Sequence, residues 1–534
     1  MKKSVCIIVS ILWCSLCNTF LVGQAVFQNT IGGNNFEYGY SLQLTPDGGA
    51  IIGGVTNSNF VPAGNGFDQY IVKTDSLGMV EWAKSYGTPL IEVVNDVYRC
   101  SDGGYIFGGY ASVSGGGGPH DGNYVVRVNS NGDTLWSRVF SFKNKGGDCY
   151  ALTQADDGNF IIANYTPAGP PDGFLASLIK LKPDGDTLWV KTYDGAGNEW
   201  FYGIDKTNDG GYILAGYTTT NSAGGDDFIL LRTDSAGNIK WAKAYGGTSD
   251  DYAYGHCVKQ TADGGFILVG TTKSFGAGSW DVLVIKTDSS GTIQWNKTYG
   301  GSGQDIGHAV DLTVDGGYIF AGYTKSWGAG TSTGVENIYL IKTNAAGDTL
   351  WTRVFGGSGS GSSGDIGYAA KQTPDGYLVS GRTNSFGTGG DIYLIKTDLN
   401  GNVPCNMYYT GTKVLSPAIT TSVPVLQQYR GATIIHPATM VAQGGTLQNL
   451  CLGTGIRYPR DHPDKINVYP NPAAFEITVE YSGTRQIQVF DLLGRNIASL
   501  SANPSGKTII DIDSFPHLFF IRTNQMKGKI IIKK

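Results

Sequence analysis

The chain has 534 residues, with 79 glycines, 30 tyrosines, 22 phenylalanines and 10 tryptophans, and only 16% of its residues are charged. This length allows a large core and more than one domain, and the aromatic content excludes a disordered low-complexity chain. The net charge of -5 excludes nucleic acid as an expected partner, because such binding needs clustered Lys and Arg.

The first residues, MKKSVCIIVSILWCSLCNTFLVGQA, place Lys2 and Lys3 before an apolar run from Val5 to Val22. This order predicts a secretory signal peptide over residues 1–24, with cleavage near Gly23 to Ala25. A membrane anchor is the alternative, because the run is nearly long enough to span a bilayer. We expect the mature protein to be exported and soluble.

A turn built on Asp-Gly recurs seven times, every 52 to 60 residues. In one unit the stretches YGHCVKQT, GFILVGTTKS, DVLVIKTD and IQWNKTYGG predict four antiparallel strands joined by tight hairpins. Four strands per unit without helical periodicity predict a propeller blade, with a β-solenoid as the alternative. Residues 25–407 are therefore expected to form an all-β, seven-bladed β-propeller. The turn aspartates are Asp47, Asp102, Asp157, Asp209, Asp263, Asp315 and Asp375.

The fourth strand of six units carries a tryptophan, and the seventh unit lacks that strand. Pro404 and Cys405 stand where it should run, and proline cannot donate to a strand ladder. The N-terminal VFQNTIGG matches QWNKTYGG, with Phe27 at the tryptophan position. An N-terminal strand is thus predicted to complete blade seven and close the ring. The six residues, predicted to be core, are Trp82, Trp136, Trp189, Trp241, Trp295 and Trp351.

Acidic residues recur on the loop face opposite the Asp-Gly hairpins. One reading is a ring of carboxylates that holds Ca²⁺ or a polyhydroxy or cationic ligand. The other is that each acid caps its own loop by accepting backbone N–H bonds. The sequence predicts no cofactor and leaves Ca²⁺ binding open. Ten residues before the turn aspartate stand Glu37, Glu92, Glu199, Asp305 and Asp365, with Asp148 and Asp251 out of register; Asp68, Asp227, Asp281, Asn337 and Asp391 open third strands.

Three tryptophans, Trp200, Trp280 and Trp327, lie outside the fourth-strand register, in or beside loops of the same face. Exposed aromatics there suit sugar stacking or protein contact, and packing within the loops is the alternative. Near the same face we place Tyr252, His120, His256 and His308.

Catalytic motifs are missing from the sequence. It has no G-x-S-x-G elbow and no H-E-x-x-H, and the Gly-rich stretch at 359–364 precedes a strand rather than a helix. These observations favour a monomeric binding or adhesion module with an extracellular glycan or protein ligand. The alternative is a polysaccharide hydrolase or lyase that uses carboxylates of the loop face.

Residues 408–465 are expected to be a connector of extended strands. Cys405 precedes this segment and Cys451 lies within it, and the two can pair in an oxidising compartment. In residues 466–534, short alternating strands predict a small β-sandwich.

Motifs within this last segment have a familiar order: Tyr469-Pro470-Asn471-Pro472, then Val489-Phe490-Asp491 with Gly494-Arg495, then Gly528-Lys529 and a basic end. They resemble the type A C-terminal sorting domain of type IX secretion, found in Bacteroidetes-type bacteria. One departure is FPHLFFI, where family members usually carry a glycine before the aromatic strand. The resemblance implies recognition by the outer-membrane secretion machinery, passage across the outer membrane, and surface attachment or release.

Overall fold

The structure is a computed structural model. The predicted signal peptide and the sorting-motif residues Pro470, Asn471, Pro472, Gly494 and Arg495 lie outside the residues that it describes. Described in full are residues 26–58, 66–88, 90–112, 122–140, 147–165, 174–328, 334–358, 364–387 and 389–427; residues 141, 166–167 and 428–429, and the strands after residue 432, are described through their backbone pairing.

The described residues fall into two compact units, within Met1–Ile456 and within Arg457–Lys534. The first unit contains seven antiparallel blades. Its strands are β1 (Val26–Gly32); blade one, β2 (Glu37–Leu44), β3 (Ala50–Thr56), β4 (Asp68–Thr74) and β5 (Val80–Gly87); blade two, β6 (Glu92–Arg99), β7 (Tyr105–Ala111), β8 (Gly122–Val128) and β9 (Thr134–Ser141); blade three, β10 (Asp148–Gln154), β11 (Phe160–Pro167), β12 (Phe174–Leu181) and β13 (Thr187–Asp194); blade four, β14 (Glu199–Lys206), β15 (Tyr212–Thr218), β16 (Asp227–Thr233) and β17 (Ile239–Gly246); blade five, β18 (Asp251–Tyr252) and β19 (Val258–Gln260) as a divided first strand, then β20 (Phe266–Thr272), β21 (Asp281–Thr287) and β22 (Ile293–Gly300); blade six, β23 (Asp305–Leu312), β24 (Tyr318–Thr324), β25 (Asn337–Thr343) and β26 (Thr349–Phe355); and blade seven, β27 (Ile366–Thr373), β28 (Gly376–Thr383) and β29 (Asp391–Thr397).

The first strand of each blade is the innermost one. These strands contact one another in a complete circle, from β2 through β6, β10, β14, β19, β23 and β27 back to β2. Third strands such as β21 are buried along their whole length, as their nearly continuous apolar sequences require. The predicted all-β, seven-bladed propeller is confirmed.

Blade junctions use the fourth-strand tryptophans. Trp295 lies opposite Lys286 in its own blade, and its ring packs under Gly347, a turn residue of the next blade with φ of +75°. The same arrangement recurs around the circle, and Phe27 takes the tryptophan position beneath Gly78 of blade one. These aromatic residues therefore act as packing between blades.

Strand β1 lies at the edge of blade seven. It pairs antiparallel with β29, and Phe27 stands opposite Lys396 in the register that Trp295 and Lys286 show in blade five. This is the register that the predicted ring closure requires.

The segment predicted as a connector adds a fifth strand to every blade, and we call residues 407–453 the belt. Its strands pair in turn with β26, β22, β17, β13, β9, β5 and β1, so the belt runs against the order of the blades. They are β30 (Met407–Tyr408), β31 (Lys413–Leu415), β32 (Thr420–Ser422), β33 (Gln427–Tyr429), β34 (Thr433–Ile435), β35 (Met440–Gln443) and β36 (Thr446–Gly453).

The second unit contains two antiparallel sheets, in the orders β37-β38-β41 and β40-β39-β42-β43. Packing of the two sheets into a sandwich stays a prediction. Among the described residues, no helix has the length and apolar character needed to cross a membrane. The strands are β37 (Asn467–Tyr469), β38 (Glu476–Glu480), β39 (Gln486–Asp491), β40 (Asn496–Ser501), β41 (Lys507–Asp511), β42 (Leu518–Thr523) and β43 (Gly528–Ile532).

Candidate functional site

The innermost strand of every blade is interrupted near its middle. In six blades one residue leaves the strand pairing and the register with the second strand shifts across it; in blade five residues 253–257 separate β18 from β19, and Tyr254 lies among them. A bulge of this kind leaves its residue unpaired and re-aims the side chain. We call the seven residues the bulge ring: Tyr40, Asn95, Tyr150, Tyr202, Tyr254, His308 and Tyr368.

Side chains of the bulge ring meet across blade junctions. The Asn95 side-chain amide donates to the Cys149 carbonyl of the next blade at 3.0 Å. All seven residues are partly exposed, although most of their strand neighbours are buried. The bulge ring is therefore partly accessible, and its side chains form aromatic contacts at four of the seven blade junctions. Ring centroids lie 4.9 Å apart for Tyr40 and Tyr368, 5.1 Å for His308 and Tyr368, 4.2 Å for Tyr150 and Tyr202, and 5.3 Å for Tyr202 and Tyr254.

Two of the three predicted loop-face tryptophans extend this aromatic surface. Trp200 packs 4.5 Å from Tyr217, and Trp280 stacks 5.7 Å from Tyr252, measured between ring centroids. Both partners contact Tyr254 of the bulge ring. Trp327 differs, because it packs on the buried Tyr339 and lies against the hydrophobic core.

The bulge ring is uncharged at neutral pH, where tyrosine hydroxyls are protonated even when exposed to water. Burial raises the pKa of the ring tyrosines further, to about 12 for Tyr368. It also lowers the pKa of His308 to about 4, so that imidazole is neutral. His308 Nδ1 lies 3.0 Å from the Gly367 carbonyl oxygen. The ring thus offers aromatic faces and neutral polar groups.

Farther along the innermost strands, residues of all seven blades line a cavity of about 230 Å³. Its lining includes two contacts between a basic and an acidic side chain: Lys259 Nζ lies 3.3 Å from Asp205, and His256 Nε2 lies 3.8 Å from Asp96. Burial lowers the pKa of His256, which favours its neutral form. Lys259 and Asp205 therefore form an ion pair in the cavity wall, whereas the contact of the neutral His256 with Asp96 is not an ion pair.

The five recurring acids on which the sequence prediction centred are Glu37, Glu92, Glu199, Asp305 and Asp365. Each is fully buried, at 0% exposure. Each accepts a backbone N–H from the preceding loop; the donors include Gly33 at 2.7 Å, Gly195 at 2.9 Å and Gly301 at 2.7 Å. These hydrogen bonds are those of the loop-capping alternative, and ligand contact by these acids stays a prediction.

The acids that open third strands face the capping acids of the next blade. A Cβ placed on Gly300 would lie 1.6 Å from Asp281 Oδ1 and 2.9 Å from Asp305 Oδ2, so only glycine fits between the two carboxyl groups. Burial, with the nearby charge of Asp305, raises the pKa of Asp281 to about 6. The same pairing recurs for Asp68 with Glu92 and for Asp227 with Asp251.

Within the described part of the chain, no group of three or more His, Cys, Asp or Glu side chains is placed to hold a metal ion. Binding of Ca²⁺ by the loop-face carboxylates stays a prediction.

Sequence reasoning noted His308 but missed the bulge ring as a set. A signal was present, because the residue three positions after each acid is a ring member in six blades, as with Glu199 and Tyr202 or Asp305 and His308. In blade three the spacing is two, from Asp148 to Tyr150.

The cysteines divide into two groups. Cys100, Cys149 and Cys257 are free and buried, and burial raises the pKa of the Cys257 thiol to about 12. Cys405 is disulfide-bonded. The backbone of Cys451 lies in β36 opposite Gln28, and the pairing of Cys405 with Cys451 stays a prediction.

Comparison with known families identifies the C-terminal region. Residues 467–534 match the family described as the secretion system C-terminal sorting domain. The resemblance found in the sequence is confirmed, and the protein is exported by type IX secretion to the cell surface or the extracellular space. Of the sorting motif, Tyr469 ends β37, Asp491 ends β39, and Gly528 and Lys529 begin β43.

A curated relative, the regulatory protein FlaEY of Caulobacter vibrioides, is 26% identical over 288 residues, which is 46% of this chain and 29% of the relative. The chain thus spans less than a third of that protein's length. A solved luciferin-regenerating enzyme matches 71% of this chain and 100% of its own, at 11% identity and a TM-score of 0.29.

Proposed function

We propose that this exported propeller is a binding module that takes a neutral carbohydrate at the bulge ring. The observation that carries the proposal is the interruption of every innermost strand, by a bulge in six blades and by the gap between β18 and β19 in blade five; it gives five tyrosines, one asparagine and one histidine similar positions near the axis. Bulges often re-aim side chains next to functional sites. Scaffold packing alone does not require seven partly exposed polar and aromatic residues.

The chemistry of the ring fits a sugar. Tyrosine has an apolar ring and a polar tip, so it can stack on the C–H face of a sugar while its hydroxyl bonds a sugar hydroxyl. Binding sites commonly combine aromatic walls with a few polar groups, as here with Asn95 and His308. Because the ring is uncharged at neutral pH, a neutral ligand suits it better than an ionic one. Trp200 and Trp280 extend the stacking surface outward.

Binding is favoured over hydrolysis because of where the carboxylates lie. Glycoside hydrolysis needs two accessible carboxyl groups, about 5 to 9.5 Å apart, on either side of the scissile bond. The bulge ring contains no acid, and the recurring acids of this face are buried and hydrogen-bonded to their loops.

The proposal includes a ring closed by β1. Support comes from the register of Phe27 with Lys396 and from the packing of Phe27 under Gly78 of blade one. Closure brings Tyr368 of blade seven against Tyr40 of blade one, which completes the site.

The test is a glycan-array screen of the full chain, followed by calorimetric titration with the best oligosaccharide. We expect Tyr202→Ala and Tyr368→Ala each to weaken binding at least about tenfold, equal to about 1.4 kcal/mol. Tyr409→Ala is the matched control, because Tyr409 is 70% exposed and lies in the belt.

Three results would contradict the proposal. They are no glycan binding while a protein ligand is captured through the same tyrosines, equal binding by all three variants, and measurable turnover of the bound oligosaccharide.

A further inference from the structure

The belt makes a complete circuit of the propeller. It leaves blade seven after Cys405, pairs with the outer strands of blades six to one in turn, and finishes on β1 at the edge of blade seven. Every blade thus receives its fifth strand from one continuous segment. Start and finish of this segment fall on the same blade.

Gln28 lies beside the residues that precede the belt, Cys405 and Asn406, and beside Cys451 near the end of the belt. The Gln28 side-chain amide donates to the Cys405 carbonyl at 2.5 Å, and Asn406 Nδ2 donates to Gln28 Oε1 at 3.2 Å. On the other side of β1, Gln28 stands opposite Cys451 in the pairing with β36. The same residue of β1 therefore lies next to both the start and the end of the belt.

We propose that a disulfide between Cys405 and Cys451 closes the belt into a covalent hoop around all seven blades. Cys405 is disulfide-bonded, and the other cysteines among the described side chains, Cys100, Cys149 and Cys257, are free. Cys451 lies in the last belt strand, β36, where it pairs with Gln28. Forming the bond removes two electrons and two protons from the two thiols, and a disulfide-bearing oxidant of the export compartment accepts them and becomes a dithiol.

The hoop changes how the propeller resists unfolding. A disulfide that closes a long loop restricts the unfolded chain, and this one also keeps the edge strand of each blade from leaving independently. Its effect extends to blades two, three and four, on the far side of the ring from Gln28. A disulfide that joined only the ends of the propeller chain, without the belt, would stabilise only the strands next to β1. The inference is independent of the proposed carbohydrate site.

The first test is peptide mapping of the secreted full chain without reductant, which should give one cross-linked peptide pair containing Cys405 and Cys451. A link from Cys405 to any other cysteine would overturn the proposal. Reduction should shift the folding equilibrium toward the unfolded state by roughly 30- to 1,000-fold.

The second test is amide hydrogen exchange of the oxidised and reduced full chain. Reduction should speed exchange in β9, β13 and β17 as well as in β1. The double variant Cys405→Ser/Cys451→Ser should match the reduced chain and ignore reductant; if it does not fold, reduction of the folded chain gives the same comparison. Faster exchange confined to β1, β29 and β36 would overturn the hoop.

Discussion

In each blade the aspartate of the Asp-Gly hairpin lies against the lysine or arginine near the end of the third strand. Lys286 Nζ is 2.8 Å from Asp263, and Lys342 Nζ is 2.8 Å from Asp315. Burial alone would raise the pKa of Asp263, but hydrogen bonds from Lys286 and Thr261 outweigh it and lower the pKa to about 2. The recurring hairpin aspartate and the recurring basic residue of the third strand are therefore partners in an ion pair in each blade.

Turn glycines provide a prediction at this scale. Gly347→Ala should destabilise the protein by more than Gly316→Ala, because both glycines have φ near +75° to +79° but only a Cβ at 347 would meet Trp295, at 2.7 Å. We expect about 1–3 kcal/mol from the backbone conformation in both variants and a further loss at 347. Urea denaturation measures the difference; equal losses would show that the tryptophan contact does not constrain the turn.

Among the strands, β1 has a role out of proportion to its length. Five of its seven residues pair with β29 on one side and all seven pair with β36 on the other, so the N-terminal strand joins the last blade to the belt. Phe27 is buried at 1% exposure and packs within a core shared with blades one and seven.

Phe27→Ala should therefore reduce the free energy of unfolding by about 3–5 kcal/mol, as expected for a buried phenylalanine. Leu399→Ala is the control, because Leu399 is 48% exposed in the turn after β29, and we expect a change within about 0.5 kcal/mol. Denaturant unfolding of both variants measures this. A similar, small effect for the two would mean that β1 does not close the ring.

Elements that repeat were predictable from the sequence, and elements defined by pairing partners were not. Seven Asp-Gly turns and six tryptophans predicted the blades, since a repeated residue reports a repeated environment. The belt strands are mostly two to four residues long, too short for a periodicity of two to identify them. A weaker signal existed, because a Gly or Pro follows at intervals of six or seven residues, at Gly411, Pro417, Pro424, Gly431, Pro437 and Gly444.

The bulge ring escaped prediction for a related reason. Tyr40 and Tyr202 stand among alternating strand residues, and alternation does not say which position leaves the ladder. The recurring acids were predicted as a binding site because carboxylates can bind cations or polyhydroxy ligands. In the structure they are buried and accept hydrogen bonds from their own loops, and sequence spacing alone cannot distinguish that role from ligand binding.

On the scale of the whole molecule, folding shifts the pKa values of two sets of carboxyl groups in opposite directions. Burial raises the folded pKa of Asp281 to about 6, so its stabilising contribution is present below about pH 4 and lost as the pH rises through 6. The hairpin acid Asp263, with a folded pKa of about 2, contributes above about pH 4 and loses that contribution toward pH 2. His256 and His308 oppose the first set, but the raised carboxylates outnumber them: Asp68, Glu92, Asp148, Glu199, Asp227, Asp251, Asp281, Asp305 and Asp365.

The free energy of unfolding should consequently fall as the pH rises from 5 to 7, and fall again from 4 to 2. Asp281→Asn should reduce the upper slope and leave the lower one unchanged, whereas Asp263→Asn should reduce the lower slope. Urea denaturation across this pH range measures both slopes. A free energy of unfolding that is constant between pH 5 and 7 would contradict this prediction. It would show that the paired carboxyl groups between blades, such as those of Asp281 and Asp305, are hydrated or bind a cation.

The most direct measurement for the function is a crystal structure of the full chain with the oligosaccharide selected by the glycan array. The account predicts sugar density at the axis, with a sugar ring stacked on Tyr202 or Tyr368 and hydroxyls within hydrogen-bond distance of Asn95 or His308. Sugar bound on the belt or the hairpin face, with the bulge ring empty, would contradict it.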